Sequence, residues 1–410
     1  MDARWVTLTL GELGPIVTGK TPPTSVEQYF GGEIPFVTPS DMDGRRYIVS
    51  TARTLTEAGA RCVGSARIPA GAVLVSCIGS DMGKAALAAK PSVTNQQINS
   101  VIVEPPNSGL YVYYDLSRRK DEIQRAAGGS AQPILNKSAF SRLPIALPPP
   151  DVQHAVAQVL GSLDDKIDLN RRMNQTLEAM AQALFRSWFV DFDPVRAKAE
   201  GRQPEGMDAE TAALFPSRFA GSELGEIPEG WSVLPLDEVL VLQRGFDLPS
   251  SSRVSGPYPV MQASGMTDGH AEYRVRGPGV VTGRSGVLGN VFFVHEDFWP
   301  LNTTLWVKEF RLALPRFAYF ILRTVDFKQF NAGSAVPTLN RNHVHSLRVV
   351  VPPRALVDRF ESFAAPNLSL IRKNELQSKT LAHLRDLLLP RLLSGEIRVR
   401  DAEAQLAASA

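Results

Sequence analysis

Residues 148–188 read PPPDVQHAVAQVLGSLDDKIDLNRRMNQTLEAMAQALFRSW. After Pro150 the stretch has no proline and one glycine. Val152, Val156, Val159, Leu163, Ile167, Met173, Leu177, Met180 and Leu184 recur at spacings of three and four, save for one step of six from Ile167 to Met173, which makes one apolar stripe on a long helix. Pro149 and Pro150 exclude helix upstream, and Asp151 stands where an N-cap or first-turn acid belongs. At 1.5 Å per residue the rod would be roughly 55–60 Å long, more than one ordinary core helix, so it needs a partner.

The partner lies in the same chain. Shifting the first half by 204 positions places Gly129-Ser130-Ala131, Pro133 and Leu135-Asn136 on Gly333-Ser334-Ala335, Pro337 and Leu339-Asn340. Leu143, Ile145 and Leu147 fall on Leu347, Val349 and Val351, and Pro148-Pro149 on Pro352-Pro353. Asn170, Leu177, Met180 and Leu184 fall on Asn374, Leu381, Leu384 and Leu388. A second long helix is therefore predicted from Pro352-Pro353 to about Leu393, stopped by Ser394-Gly395. Two related rods can bury matching stripes against each other, and an antiparallel pairing gives pseudo-twofold symmetry with the domains at opposite ends. The expected seam comprises Val156, Leu163, Asn170, Leu177, Leu184, Asn374, Leu381 and Leu388. Asn170 and Asn374 either fix register from inside it or face solvent at its edge. Pro366 predicts a kink in the second rod.

Outside the rods, residues 1–147 and 231–352 each read as mixed α/β, with short strands bounded by Gly, Pro and Asn. Ala72 to Val75, Ser100 to Val103 and Ile145 to Leu147 are strands in this reading, and Tyr111 to Arg125 and Pro315 to Phe330 are helices. The expected order is a first domain (1–147), a central helix (148–190), a polar connector (191–230), a second domain (231–352), a C-terminal helix (353–400) and a tail (401–410). At 410 residues, two domains are the natural count.

Charge is unevenly spread. Residues 6–147 carry 14 Lys/Arg against 11 Asp/Glu, and residues 231–352 carry 12 against 9. Residues 148–230 carry 8 against 14. Any nucleic-acid surface must be a local cluster. Cys62 and Cys77 form no zinc pattern and read as reduced, buried thiols. The start has no apolar h-region, and no run reaches eighteen apolar residues, so a cytoplasmic chain is expected.

Gly14-Pro15-Ile16-Val17-Thr18-Gly19-Lys20-Thr21 fits G-x-x-x-x-G-K-[ST], but Pro22-Pro23 follow where a phosphate loop needs a helix, so it reads as a turn. Two glycine-rich turns, Gly79 to Lys84 and Gly283 to Asn290, each follow a short apolar run. Small residues with Lys84, Arg284, Ser285 and Asn290 suit close approach to a DNA backbone or base edge, while the bland alternative is a tight hairpin. His343 and His345 point to one side of a strand in this reading, without a third ligand. No catalytic or metal-binding constellation stands out, and none is assigned.

In order, these parts resemble the specificity subunit of Type I restriction–modification systems. The similarity runs through Leu10-Gly11-Glu12-Leu13 with Thr18 to Pro22, Ile34 to Asp41, the Gly79 turn with Asn95-Gln96-Gln97, and Leu147 to Pro150 with Gln153. It continues through Leu163 to Ile167, Leu184 to Phe189, Leu224 to Trp231 and Leu389 to Ile397. One departure is Arg354 to Asp358, which lacks the glutamine matching Gln153. The resemblance implies two target recognition domains, each reading half of a split DNA site, with Thr38, Ser40, Gln97 and Asn302 joining the turn residues as DNA contacts. It implies helices that set the spacing and dock two methyltransferase subunits, with restriction subunits where present. It implies no cofactor in this chain, and S-adenosylmethionine, ATP and magnesium on the partners. Half-sites on one face of a duplex lie about 34–36 Å apart, or a multiple of that. The alternative is a helix-linked adaptor that binds only proteins.

Overall fold

The computed structural model describes residues 5–127, 133–330 and 337–409. Chain packing divides it into two units: residues up to Leu169 with those from Gln377 onward, and Asn170–Leu376. Each long helix, Pro150–Phe189 and Arg354–Leu393, is shared between the two units.

The first unit is built on a five-stranded sheet ordered Ile16–Thr18, Ile98–Val101, Val73–Ser76, Ala85–Ala88 and Tyr47–Ile48. Val73–Ser76 is buried along its whole length, as a continuous apolar run on a central strand should be. A four-stranded sheet, ordered Arg53–Leu55, Phe30–Val37, Ser92–Thr94 and Arg67–Ile68, adjoins it. Val6–Thr9 pairs antiparallel with Pro144–Leu147 and closes the domain at the root of the first long helix. Helix Gly109–Ser117 buries Tyr111, Val112, Tyr114 and Leu116 in the core, where Val156, Leu160 and Leu163 meet Leu388 and Leu392.

The second unit repeats this frame. Its main sheet runs Leu240–Arg244, Thr304–Phe310, Gly279–Gly283 and Val291–Val294. Ser232–Pro235 pairs with Arg348–Val351 as the closing ribbon, and helix Pro315–Thr324 covers the sheet. Matched strand pairs give the offset between the copies. Val6↔Leu147 corresponds to Ser232↔Val351, offsets of 226 and 204. Parallel pair Phe36↔Val93 corresponds to Val260↔Trp299, offsets of 224 and 206. Ser76↔Ile98 corresponds to Gly283↔Thr304, offsets of 207 and 206. Asn136 and Asn340, 204 apart, each cap a short helix through the side-chain oxygen. The glycine-serine-alanine triplets of the repeat lie outside the described residues.

Within the second unit the helices run antiparallel. Asn170 Nδ2 donates to the carbonyl of Asn374 (3.4 Å), Asn174 Nδ2 to that of Ile371 (3.3 Å), and Trp188 meets the Phe363 ring edge-on at 5.7 Å. Asn170 and Asn374 are buried, so they lie inside the seam and not at its solvent edge. Val156, Leu163 and Leu388 are buried too, whereas Leu177, Leu184 and Leu381 are half-buried. Met180 departs from the expected stripe at 57 % exposure, because Ala181 takes the inward position beside it. The second helix is continuous through Pro366, which lies on its exposed side.

Other expectations need correction. Tyr111 to Arg125 is two helices, Gly109–Ser117 and Lys120–Ala126, with Arg119 clamped to Asp115 (2.8 Å) and Glu122 (2.6 Å) across the break. Pro315 to Phe330 is one α-helix only to Thr324; extended Val325 redirects the chain into a 3-10 turn over Phe327–Phe330, with Phe327 buried. Residues 191–230 hold helices Asp193–Ala199 and Ala209–Ala213 and a hairpin, anchored by buried Val195 and Phe215 in the second core. The tail is helical over Val399–Ser409, with Ala402 buried in the first core. His343 and His345 sit in helix Arg341–His345, not on a strand, since Asn340 nucleates a turn there. Cys62 is exposed at the end of a short helix, and only Cys77 is buried, its thiol pushed up to about 11 by burial.

Candidate nucleic-acid interface

Both glycine-rich turns are hairpins. Gly79 to Gly83 joins antiparallel Val73–Ser76 and Ala85–Ala88, and Arg284 to Asn290 joins antiparallel Gly279–Gly283 and Val291–Val294. Each hairpin is gripped by the same strap. Leu135 N–H donates to the Cys77 carbonyl (2.9 Å), and Leu339 N–H to the Arg284 carbonyl (2.8 Å). A second shared element is the turn before the central strand. Ile98 N–H donates to Asn95 (3.1 Å) and Thr304 N–H to Leu301 (2.9 Å).

Gly19 and Gly245 press against those turns. A Cβ at Gly19 would lie 2.0 Å from the Asn95 carbonyl oxygen, and one at Gly245 would lie 2.3 Å from that of Leu301. The phosphate-loop pattern thus ends in a packing glycine with a twin in the other domain. Its amide is spent on the Ile98 carbonyl (3.0 Å), and no helix follows.

In the first domain the hairpin, the turn and the sheet edge enclose an open hollow of about 460 Å³, lined by Thr38, Ser40, Asp41, Arg53, Ser80 and Gln97 among others. Asp41 is internally satisfied. One carboxylate oxygen takes the Ala52 amide (2.8 Å), and the other takes the Thr38 amide (2.8 Å) and hydroxyl (2.7 Å). Thr38 is therefore largely used up as the cap of a short turn, whereas Ser40 is exposed. Gln97 is fixed by Asn95, whose amide donates to Gln97 Oε1 (2.8 Å), and whose Oδ1 accepts the Gln97 backbone N–H (3.1 Å). The Gln97 side-chain amide thus keeps its orientation with donors to spare.

Lys84 does not join this group. It pairs with Asp81 (2.9 Å), reaches the Pro39 carbonyl (3.4 Å) and lines a separate groove with Tyr113, Tyr114, Asp164 and Arg385. In that groove Tyr114 donates to Asp164 (2.7 Å), Arg385 grips the other Asp164 oxygen (2.7 Å), and Arg46 reaches Tyr114, Asp165 and the Gly161 carbonyl. Burial and the adjacent Asp164 push the Tyr114 hydroxyl well above its usual range. This network fastens the first sheet to the first long helix.

In the second domain, Arg284 donates to the Asn302 carbonyl (3.3 Å), and the Asn302 side chain bonds Asp247. Ser285 forms a backbone bridge to Thr338, and exposed Asn290 closes the hairpin through its carbonyl. Arg284 and Asn302 are therefore together, with Ser285 beside them and Asn290 at the far leg. By strand register Thr38 corresponds to Gln262, Ser40 to Ser264 and Gln97 to Thr303.

Arg53 escaped the sequence reading. It sits on the exposed edge strand with its guanidinium over the Phe30 ring (4.4 Å) and near that of Phe36 (5.8 Å). No motif marks it; only the strand pairing Phe36↔Arg53 brings it to the hollow. Gln262 was missed because the single 204 shift fails in this part of the repeat.

The glutamine departure has a physical counterpart. Gln153 Oε1 accepts the Ser108 amide (3.0 Å), at the N-cap of helix Gly109–Ser117. Its Nε2 donates to Pro148 (2.9 Å) and Asn107 (3.1 Å). In the second unit Glu361, one helical turn further along, takes the Arg316 (2.7 Å) and Phe317 (2.8 Å) amides at the start of helix Pro315–Thr324. Both long helices thus hold the covering helix by its N-terminus, where an acceptor satisfies orphan amides.

Among the described residues, no three His, Cys, Asp or Glu side chains converge as a metal site, and no helix is long and apolar enough to cross a membrane.

Residues 3–179 match the family described as the Type I restriction modification DNA specificity domain. The chain is 25 % identical over 425 residues to the Type I restriction enzyme MjaIX specificity subunit of Methanocaldococcus jannaschii, covering 97 % of this chain and 94 % of that one. It is 33 % identical over 333 residues to the HindI specificity subunit of Haemophilus influenzae, covering 65 % and 71 %. Among solved structures, the S subunit of a Type I restriction-modification system from M. genitalium has the same fold. The TM-score is 0.60 over 95 % of this chain and 96 % of that one, at 16 % identity.

Proposed function

From the premise that this chain belongs to the family of Type I restriction enzyme specificity subunits, we infer that each repeated domain reads one half of a split DNA target and that the paired helices fix the gap. One observation carries this reading. The two domains keep the same strand frame, straps and packing glycines, while matched rim positions carry different side chains at Thr38 against Gln262 and at Gln97 against Thr303, with serine kept at Ser40 and Ser264. A shared frame with divergent rims suits two readers of unlike half-sites. Thr38, Ser40 and Gln97 in one domain, and Arg284, Ser285, Asn290 and Asn302 in the other, are the proposed contacts, with Lys84 behind the first hairpin.

Methyl transfer and cleavage belong, in this reading, to other chains. Two methyltransferase subunits would dock on the helices with S-adenosylmethionine, and restriction subunits, where present, would bring ATP and magnesium. This chain supplies the address. Phosphate contacts by its basic residues would make binding fall with salt.

The test is to assemble the chain with its methyltransferase subunits, expose DNA to the complex and map the methylated adenines. A split motif with a fixed gap is expected. Adding one heptad to each long helix should lengthen the gap and leave both half-sites unchanged. Methylation without sequence preference, or insertions that alter the bases read, would overturn the proposal. Binding that ignores both DNA and salt would return the protein-adaptor alternative.

A further inference from the structure

Arg53 is the one guanidinium that lines the first domain's hollow. Of the carboxylates around it, Asp41 is committed through both oxygens to the Ala52 and Thr38 groups, and Asp81 through one oxygen to Lys84. Among the described residues Arg53 makes no ion pair and no side-chain hydrogen bond. Its head group is steadied all the same, because it rests over the Phe30 ring at 4.4 Å with that of Phe36 at 5.8 Å. The N–H groups of a guanidinium form a planar fork that fits two in-plane acceptors. Charge-free Ser40, Ser80 and Gln97 share the hollow, and the Gln97 amide is itself locked by Asn95.

We propose that Arg53 reads a guanine in the half-site bound by the first domain, donating to its O6 and N7 in the major groove. This rests on the family-based reading given above. Arginine to these two atoms is the commonest specific contact to a base. The internal repeat separates this role from phosphate binding. A phosphate contact carries no sequence information, so two domains on one frame should both keep it. Arg53 is not kept. Phe36 pairs with Arg53, but in the second domain the strand facing the matched Val260 and Met261 carries Thr267 and an exposed Met266. A side chain present on one rim and absent from its twin is where the domains' base preferences should differ.

The experiment uses the complex assembled with the methyltransferase subunits, on duplexes carrying the mapped target. Each guanine is replaced in turn by 7-deazaguanine, which lacks the N7 acceptor. Arg53→Met keeps the stacking on Phe30 without the donors, and Arg53→Lys keeps the charge without the fork. The wild type should lose roughly tenfold or more in affinity at one guanine of one half-site. Arg53→Met should bind the natural duplex weaker by a similar factor, ignore 7-deazaguanine at that position and accept other bases there. Arg53→Lys should lie between, and the other half-site should be read as before. Uniform weakening on every duplex, with a salt slope lowered by about one, would mean a phosphate contact and overturn the proposal. A variant indistinguishable from a sequence-selective wild type would overturn it as well. A wild type indifferent to all sequences would instead overturn the family-based reading beneath it.

Discussion

Glu361 and Gln153 both accept amides at the start of a covering helix, but Gln153 also donates, and exchanging them should have unequal consequences. Glu361 is 9 % exposed and accepts three N–H groups: two backbone amides at 2.7 and 2.8 Å and Arg316 Nη1 at 3.1 Å. Glu361→Ala removes the acceptor and strands the buried Phe317 amide together with its neighbour. An unsatisfied buried donor costs about 1–3 kcal/mol, and breaking a buried ion pair from one side about 3–5 kcal/mol. The two overlap here, so about 3–5 kcal/mol is the expected loss. For a cooperative unit near 200 residues, 1 kcal/mol shifts Tm by about 2–4 °C, giving a drop of roughly 6–20 °C. Glu361→Gln keeps an oxygen for the amides and should cost only about 1 kcal/mol. Gln153→Glu should be severe although it is isosteric. The Gln153 amide donates to the Pro148 and Asn107 oxygens from a site 1 % exposed, and a carboxylate there would oppose oxygen to oxygen. Scanning calorimetry of the three variants, with amide exchange over residues 315–324, provides the measurement. A Glu361→Ala protein within 1 °C of wild type, with protection at Phe317 undiminished, would refute the anchoring argument.

Other outcomes follow from the same geometry. His345 Nε2 accepts the Leu242 amide (2.9 Å) as a neutral ring, and burial, aided by Arg341 and Arg311 against Asp237, holds its pKa below the usual value. A depressed folded pKa gives stability that is present above the unfolded value, near 6.5, and lost as pH falls through the folded one. Tm should therefore drop from pH 7.5 to 5.5, and less so in His345→Gln, followed by circular dichroism. Gly19→Ala and Gly245→Ala should each cost at least about 1–3 kcal/mol by urea unfolding, since a Cβ at either meets a backbone carbonyl. Asn374→Leu leaves Asn174 Oδ1 without its 2.8 Å donor and should cost about 1 kcal/mol; Asn174→Leu added to it should cost less than the two single changes summed.

The long helices were legible because a 3.6-residue period over forty positions leaves no other reading, and the repeat because the straps and helices share one offset. Asn170 and Asn374 stayed ambiguous because a stripe edge and a seam look alike in sequence. The rims were harder. Their contacts depend on parallel pairs such as Phe36↔Val93, which join strands far apart in the chain and follow no periodicity. Arg53 carries no signal at all in sequence, since stacking on Phe30 is a product of register. In the 191–230 segment, prolines and charges hide the buried aromatic anchors Phe192 and Phe215.

The offsets between the copies have an evolutionary consequence. They fall from 226 at the first strands to 207 at the hairpins and then hold at 204 from the caps through Asn170 and Asn374. The present length differences between the copies thus lie in the sheet-bearing bodies, while the two rods are of equal length. Chain added to a loop costs only the slow logarithm of closure entropy. One residue added to a helix turns all that follows by about 100° and carries a buried asparagine out of the seam. Recognition could drift freely in length and composition while the scale on which it is mounted stayed fixed, so a body grafted from a relative between the closing ribbon's two strands should need no adjustment of the helices.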